Sequence, residues 1–342
     1  MKQIVITPAI EKAAETYADS LRFVDKRSDF VPPLDGLRNL ITDLQEVNDG
    51  LVDRDRYVKY VEKIVADFDD LITLKPSQFC TYKQSYDEIL DENLLSSKVR
   101  HRGLVLPDDF EKRKELVIKT GLFYEEIVAR MRYKDCRTYL APLMKQIGIN
   151  TCVYCNIFPA FSSSERKEAY FPFDHYKPKS KYPFLCISFY NLNPICPECN
   201  EHKQADENKG YQLYVERPEG RDPFVFEINR NKLVEGDPSS IEVQFKARKV
   251  ADDELRKKYN DWYRIEVFYN DEEERNGNYK MVKDIDKYRG SYSDATEAGF
   301  PSIDARKKLF QEVLGVKDDE GNIFTDVKKK LKLDTAKDSK LI

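Results

Sequence analysis

The sequence predicts an α+β protein with three regions: a mainly helical one over residues 1–148, a central module over 149–212, and a strand-rich one over 213–342. Three observations predict it. Apolar residues recur at helical spacing in the first third; prolines crowd between 151 and 200, where five of the seven cysteines also fall; and apolar alternation appears beyond 212.

The first helical pattern sets Ile10, Ala13, Ala14, Tyr17 and Leu21 on one face. The clearest one carries Tyr57, Tyr60, Val61, Ile64, Val65, Phe68, Leu71 and Ile72 as one buried stripe. A third runs from Leu122 to Ile147, with Pro142 expected to kink or end it. From 151 to 200, Pro159, Pro172, Pro178, Pro183, Pro194 and Pro197 forbid a long helix and leave a small loop-rich unit. Beyond it, Phe224 to Ile228, the alternating Ile241, Val243 and Phe245, and the alternating Tyr263, Ile265, Val267 and Tyr269 read as strands. Turns are expected at Glu219-Gly220, Glu235-Gly236-Asp237-Pro238 and Asn276-Gly277-Asn278. A helical patch from Ile303 to Leu314 follows, then a lysine-rich end at Lys328, Lys329 and Lys330 that reads as frayed.

Composition narrows the function classes. The chain has 342 residues, 41% hydrophobic and 35% charged, which suits a folded protein of two or three compact units. No run approaches the roughly 18 apolar residues of a bilayer-spanning helix, and Ile4 to Ile6 is too short for a secretory signal, so no membrane association and a cytoplasmic location are expected. Net charge is −4, so contact with a polyanion has to be local. An odd cysteine count without a signal peptide points to a reducing compartment, with thiols bound to metal or packed in cores.

Cys152-Val-Tyr-Cys155 and Cys196-Pro-Glu-Cys199 have the spacing that lets two thiolates of one turn bind the same tetrahedral ion, and two such knuckles make a closed structural zinc site. The 40 residues between them leave room for an inserted unit. Cys80, Cys136 and Cys186 have no close cysteine partner and read as core residues. Within the insert lie Asp174-His175-Tyr176-Lys177-Pro178-Lys179-Ser180 and Asn191-Leu192, and the second knuckle runs into Asn200-Glu201-His202-Lys203.

The string C-x-x-C, D-H-x-x-P-x-S, N-L, C-x-x-C-N-x-x-K resembles the HNH endonuclease family, over Cys152 to Lys203. The resemblance implies a ββα-metal fold that cuts phosphodiester bonds. It assigns Asp174 as a ligand of the catalytic ion, His175 as general base, Asn191 as the brace of the hairpin that orients the histidine, and Asn200 as second ligand. The D-H-x-x-P-x-S string followed by N-L is similar to HNH partners of ATPases in bacterial antiphage defence, which implies an ATPase or other recruiting protein as partner. Asparagine at the last ligand position implies an oxygen-only site that favours Mg²⁺.

The residue types fit that chemistry. Hydrolysing an unactivated phosphodiester needs a base for water, charge shielding for the phosphate and stabilisation of the leaving 3′ oxygen. Asp174 and Asn200 offer hard oxygens suited to Mg²⁺ or Mn²⁺. Asp174 and His175 are adjacent, so on a strand they point to opposite faces, and an ordinary imidazole pKa of about 6.5 suits a base near neutrality. Lys203 lies three residues beyond Asn200 and is placed to meet a substrate phosphate. Lys177 and Lys179 flank the base as further phosphate contacts, whereas His202 and His101 read as solvated. Between 111 and 150, nine basic residues oppose five acidic ones, and Arg130, Lys134 and Arg137 at helical spacing form a candidate polyanion track.

The function expected is thus a metal-dependent endonuclease, with DNA favoured as the nucleic acid. Two competitors share the cysteine framework. A zinc-stapled nucleic-acid-binding module without catalysis is disfavoured by the intact Asp174, His175 and Asn200, while an RNA-cleaving toxin nuclease stays open because one-metal chemistry does not identify the sugar.

Overall fold

Thirteen helices and eight short strands form among the described residues of a computed structural model, which are 2–22, 31–46, 53–99, 121–160, 162–163, 168–169, 171–204, 206–218, 220–229, 236–297, 314–316 and 323–339. His101, the basic residues of 111–120 and most of the Ile303 to Leu314 patch lie outside them.

The N-terminal region is helical, as its periodicity predicts. Helix α1 (Pro8–Arg22) buries Ile10, Ala13, Ala14, Tyr17, Ala18 and Leu21. Helix α2 (Pro33–Gln45) starts on a proline whose missing N–H costs nothing in a first turn. The long stripe from Tyr57 to Ile72 is divided between α3 (Arg54–Ala66) and α4 (Phe68–Ile72), with the junction at Asp67. Helices α5 (Phe79–Asp87) and α6 (Glu92–Leu95) follow, the latter capped by the Asp91 carboxylate accepting from the Leu94 N–H. The third pattern divides into α7 (Phe123–Arg130) and α8 (Tyr133–Gln146), and the break falls at Arg132, whose φ of 53° ends the helical path. Pro142 does not end α8: Leu140, Ala141, Leu143 and Met144 around it are buried, and that packing carries the helix on to Gln146.

In the centre, β4 (Phe173–His175) pairs antiparallel with β5 (Leu192–Pro194), Asp174 opposite Asn193 and His175 opposite Leu192, and α9 (Pro197–Lys203) follows directly. Two strands and a helix thus follow one another in the order that the resemblance implies. A small hairpin, β2 (Ser162–Ser163) with β3 (Glu168–Ala169), lies in the loop before β4. Strand β1 (Ile4–Val5) pairs in parallel with β6 (Tyr214–Val215), stitching the N-terminal segment to the residues that leave the central module.

The C-terminal region departs from the sequence reading in three places. One hairpin forms, β7 (Phe224–Asn229) with β8 (Glu242–Ala247), but the expected strand at Tyr263 to Tyr269 is helical, split between α10 (Asp253–Tyr263) and α11 (Ile265–Tyr269). The alternation there misled because Val267 is 65% exposed, while the buried positions Tyr259, Tyr263, Ile265 and Tyr269 include two pairs four apart, a helical interval. Second, Asn276-Gly277-Asn278 makes no turn and lies within α12 (Glu272–Glu297), the Asn278 side chain donating to the Tyr269 carbonyl. Third, the lysine-rich end forms α13 (Lys329–Asp338), with Lys329 and Lys330 buried. Lys330 pairs with Asp222 at 2.8 Å and Asp334 at 3.4 Å, and Arg248 reaches both carboxylates, so these charges are neutralised inside rather than solvated. A single apolar cluster, from Ile10 through the central module to Ala336, joins all three regions.

Candidate active site and metal centre

The four knuckle cysteines are buried, and their sulfurs lie within 4.8 Å of one another. Cys155 Sγ and Cys196 Sγ are 3.9 Å apart, far beyond a disulfide bond. An ion held by four sulfurs at about 2.3 Å sets tetrahedral edges of about 3.8 Å, so the spacing fits thiolate zinc. Local backbone makes the first knuckle tight. Asn156 adopts a left-handed φ of 58°, its N–H donates to the Cys152 carbonyl, and its side chain donates to the Ile323 and Asp326 carbonyls. Tyr259 and Tyr269 donate their hydroxyls to the Tyr154 and Cys155 carbonyls. Of the three remaining cysteines, Cys136 and Cys186 are core residues as expected, whereas Cys80 is exposed on the polar side of α5.

The D-H pair ends β4 at a cleft of about 380 Å³, lined by Asp174, His175, Asn200, Lys203, Lys179 and Tyr133 among others. Their neighbours are distinct. His175 Nε2 lies 2.9 Å from the Cys186 carbonyl, and its ring meets that of Tyr133 at 4.7 Å. Because a carbonyl only accepts, Nε2 carries the hydrogen and the Nδ1 lone pair stays free in the neutral ring. Burial pushes the imidazole pKa down to about 3 against the raising effect of the Cys186 carbonyl, and the Lys179 and Lys203 charges add to the depression. The ring is therefore neutral at pH 7.

Asp174 is gripped at both oxygens. The Tyr154 hydroxyl, from inside the first knuckle, donates to Oδ2 at 2.5 Å, and Lys203 Nζ lies 2.9 Å from Oδ1. Burial raises the carboxyl pKa to about 6, while the Lys203 charge and hydrogen bond and the Tyr154 hydroxyl pull it the other way. Asn200 is exposed on the same cleft. The carboxylate and carboxamide oxygens are the donor set of a hard divalent cation, and on that ground they fit Mg²⁺ or Mn²⁺.

The other sequence candidates are placed as follows. Asn191 braces the hairpin, its amide donating to the Lys177 and Leu185 carbonyls while Oδ1 accepts the Lys177 N–H. Among the described residues none of these hydrogen bonds goes to His175; Asn191 fixes residue 185, beside the Cys186 carbonyl that holds the ring. Lys203 is 1% exposed and engaged with Asp174 and the His175 carbonyl, so the expected phosphate contact is not the one it makes. Lys177 pairs with Glu207 at 2.7 Å, and Lys179 is exposed at the cleft near the Tyr133 ring. Arg130 is paired with Asp43, and Arg137 donates to the Phe171 carbonyl, which leaves Lys134 as the exposed member of the proposed track. His202 is half-buried, its carbonyl accepting from Lys209. Tyr154 and Tyr133 escaped the sequence reading, since a tyrosine inside a knuckle or at a helix start carries no spacing signal.

No family model matches the chain, and no solved structure does. Among curated proteins, the chain is 29% identical over 73 residues to a Septu protein, PtuB, of Bacillus thuringiensis. The match covers 21% of this chain and 26% of that relative.

Proposed function

We propose that this protein is a metal-dependent endonuclease that hydrolyses phosphodiester bonds, DNA before RNA, and serves bacterial defence beside an ATPase or other recruiting partner. The neutral His175 imidazole carries the reading: with Nε2–H given to the Cys186 carbonyl, Nδ1 is left to take a proton from water in the cleft shared with Asp174 and Asn200. A divalent ion on the Asp174 and Asn200 oxygens would supply charge neutralisation at the phosphate and at the departing oxygen. The chain's own residues hold the base in one tautomer, fix the carboxylate at the cleft through Tyr154, and present Lys179 at its rim. The cysteine centre is structural and ties Tyr154 to the reacting groups. The preference for DNA and the ATPase partner rest on the HNH resemblance, and the similarity to a Septu protein over part of the chain supports the defence role.

The test is incubation of purified protein with plasmid, single-stranded DNA and total RNA, with Mg²⁺ or with EDTA. Cleavage of DNA with Mg²⁺ is expected, and replacing His175 by Ala should lower it by roughly 10² to 10⁴-fold with zinc content unchanged. Equal cleavage by that variant removes the base assignment; cleavage of RNA alone transfers the reading to an RNA-directed nuclease; binding without cleavage leaves a zinc-stapled binding module.

A further inference from the structure

A lysine is seldom fully buried, and Lys203 is 1% exposed at the end of α9, its ammonium 2.9 Å from Asp174 Oδ1 and 3.1 Å from the His175 carbonyl. A buried ion pair is weak evidence of stabilisation, because desolvating both charges offsets much of their attraction. This one sits on the carboxylate that the proposed function assigns to the divalent ion. An ion at about 2.1 Å from the same oxygen would stand no more than about 5 Å from the ammonium, beside side chains only 1% and 5% exposed, where like charges are poorly screened.

Resting on that functional reading, we infer that Lys203 is the resident counter-cation of Asp174, which a divalent ion has to displace, so that metal loading is tied to withdrawal of this lysine. The Tyr154 hydroxyl is neutral and keeps Oδ2 fixed throughout. A substrate phosphate entering the cleft supplies the anion to which the displaced ammonium moves. Lys203 is thus a positioning residue for the cation site, holding it closed until nucleic acid arrives.

Mn²⁺ titration of the zinc-loaded full chain at pH 8, without nucleic acid, tests this by electron paramagnetic resonance. Lys203→Met should bind Mn²⁺ at least tenfold more tightly than the unaltered protein, with zinc content unchanged, and Lys203→Gln provides the same comparison should the Met variant fail to fold. Adding Asp174→Asn to either variant should abolish the gain. Mn²⁺ binding that is no tighter in K203M and K203Q overturns the inference and leaves the nuclease reading intact. If no form of the protein binds Mn²⁺ even with a dinucleotide phosphodiester present, the inference and the metal half of the proposed function fail together.

Discussion

At the scale of single residues, His175 and Asp174 are neighbours in sequence with opposite problems. Burial holds the imidazole neutral down to about pH 3, whereas it raises the carboxyl to about 6. For the histidine the folded-state pKa lies below its ordinary 6.5, so the unfolded chain binds the extra proton between those values and stability falls as pH drops from about 6.5 toward 3. For the aspartate the sign reverses: the folded chain takes up a proton first, which favours folding as pH drops through 6. The two effects oppose each other in the unaltered protein. Replacing His175 by Gln removes one of them, so its folding equilibrium relative to the unaltered protein should improve by about tenfold per pH unit from pH 6 to pH 4. Urea titrations of both proteins at several pH values measure this, and a difference that does not change with pH would show that the ring is not buried in its neutral form.

Among the elements, close approach decides what each position tolerates. In α2, a Cβ built on Gly36 would lie 2.2 Å from the Arg130 carbonyl oxygen at the end of α7, a backbone atom that cannot step aside. Gly36→Ala should therefore destabilise the N-terminal helices by about 1–3 kcal/mol, seen as a lower urea midpoint with an unchanged slope. Much at this scale was legible in the sequence. The stripes of α1 and α3 and the β7–β8 alternation follow from apolar spacing, and the order of the two central strands and the helix is what the family resemblance carried by the knuckles and the D-H pair implies. Other features were hidden because their cause is tertiary. Tyr263 to Tyr269 alternates in sequence, yet Glu266 settles its conformation: its carboxylate accepts from the Phe245 N–H of β8 and from the Asn260 side-chain amide, and its own backbone N–H donates to Asn260 Oδ1. Lys203 shows the same limit in the site: three residues from Asn200 it reads as a phosphate contact, and only the fold reveals the carboxylate waiting for it. The burial of Lys330 likewise depends on Asp222, a residue that no local pattern connects to it.

Over the whole molecule, charge and chain path set what the cleft can hold. Arg130 pairs with Asp43 and Arg137 with the Phe171 carbonyl, so among the described residues expected to hold a polyanion Lys134 and Lys179 are the exposed cations. Replacing both by Ala should lower the slope of log affinity against log salt by about 2, since each phosphate contact contributes about 0.9, whereas replacing Arg137 should lower stability and leave the slope unchanged. Filter-binding titrations at several salt concentrations separate the two. The first knuckle also depends on distant chain: the Phe324 carbonyl accepts from the Asn150 N–H and the Thr151 hydroxyl, and Lys328 and Lys330 donate backbone N–H groups to Asn156. Truncation after residue 322 should therefore cost the protein its zinc, measurable by elemental analysis, even though all four thiols remain. That dependence has a temporal side. Sulfurs separated by no more than 47 positions can meet early during synthesis, but the platform of the first knuckle is made of residues some 170 positions further along the chain than that knuckle. A nascent chain that stops before residues 323–330 has the four thiols without the contacts that shape their first knuckle, so the four-sulfur cluster is expected to form only once those residues have been made.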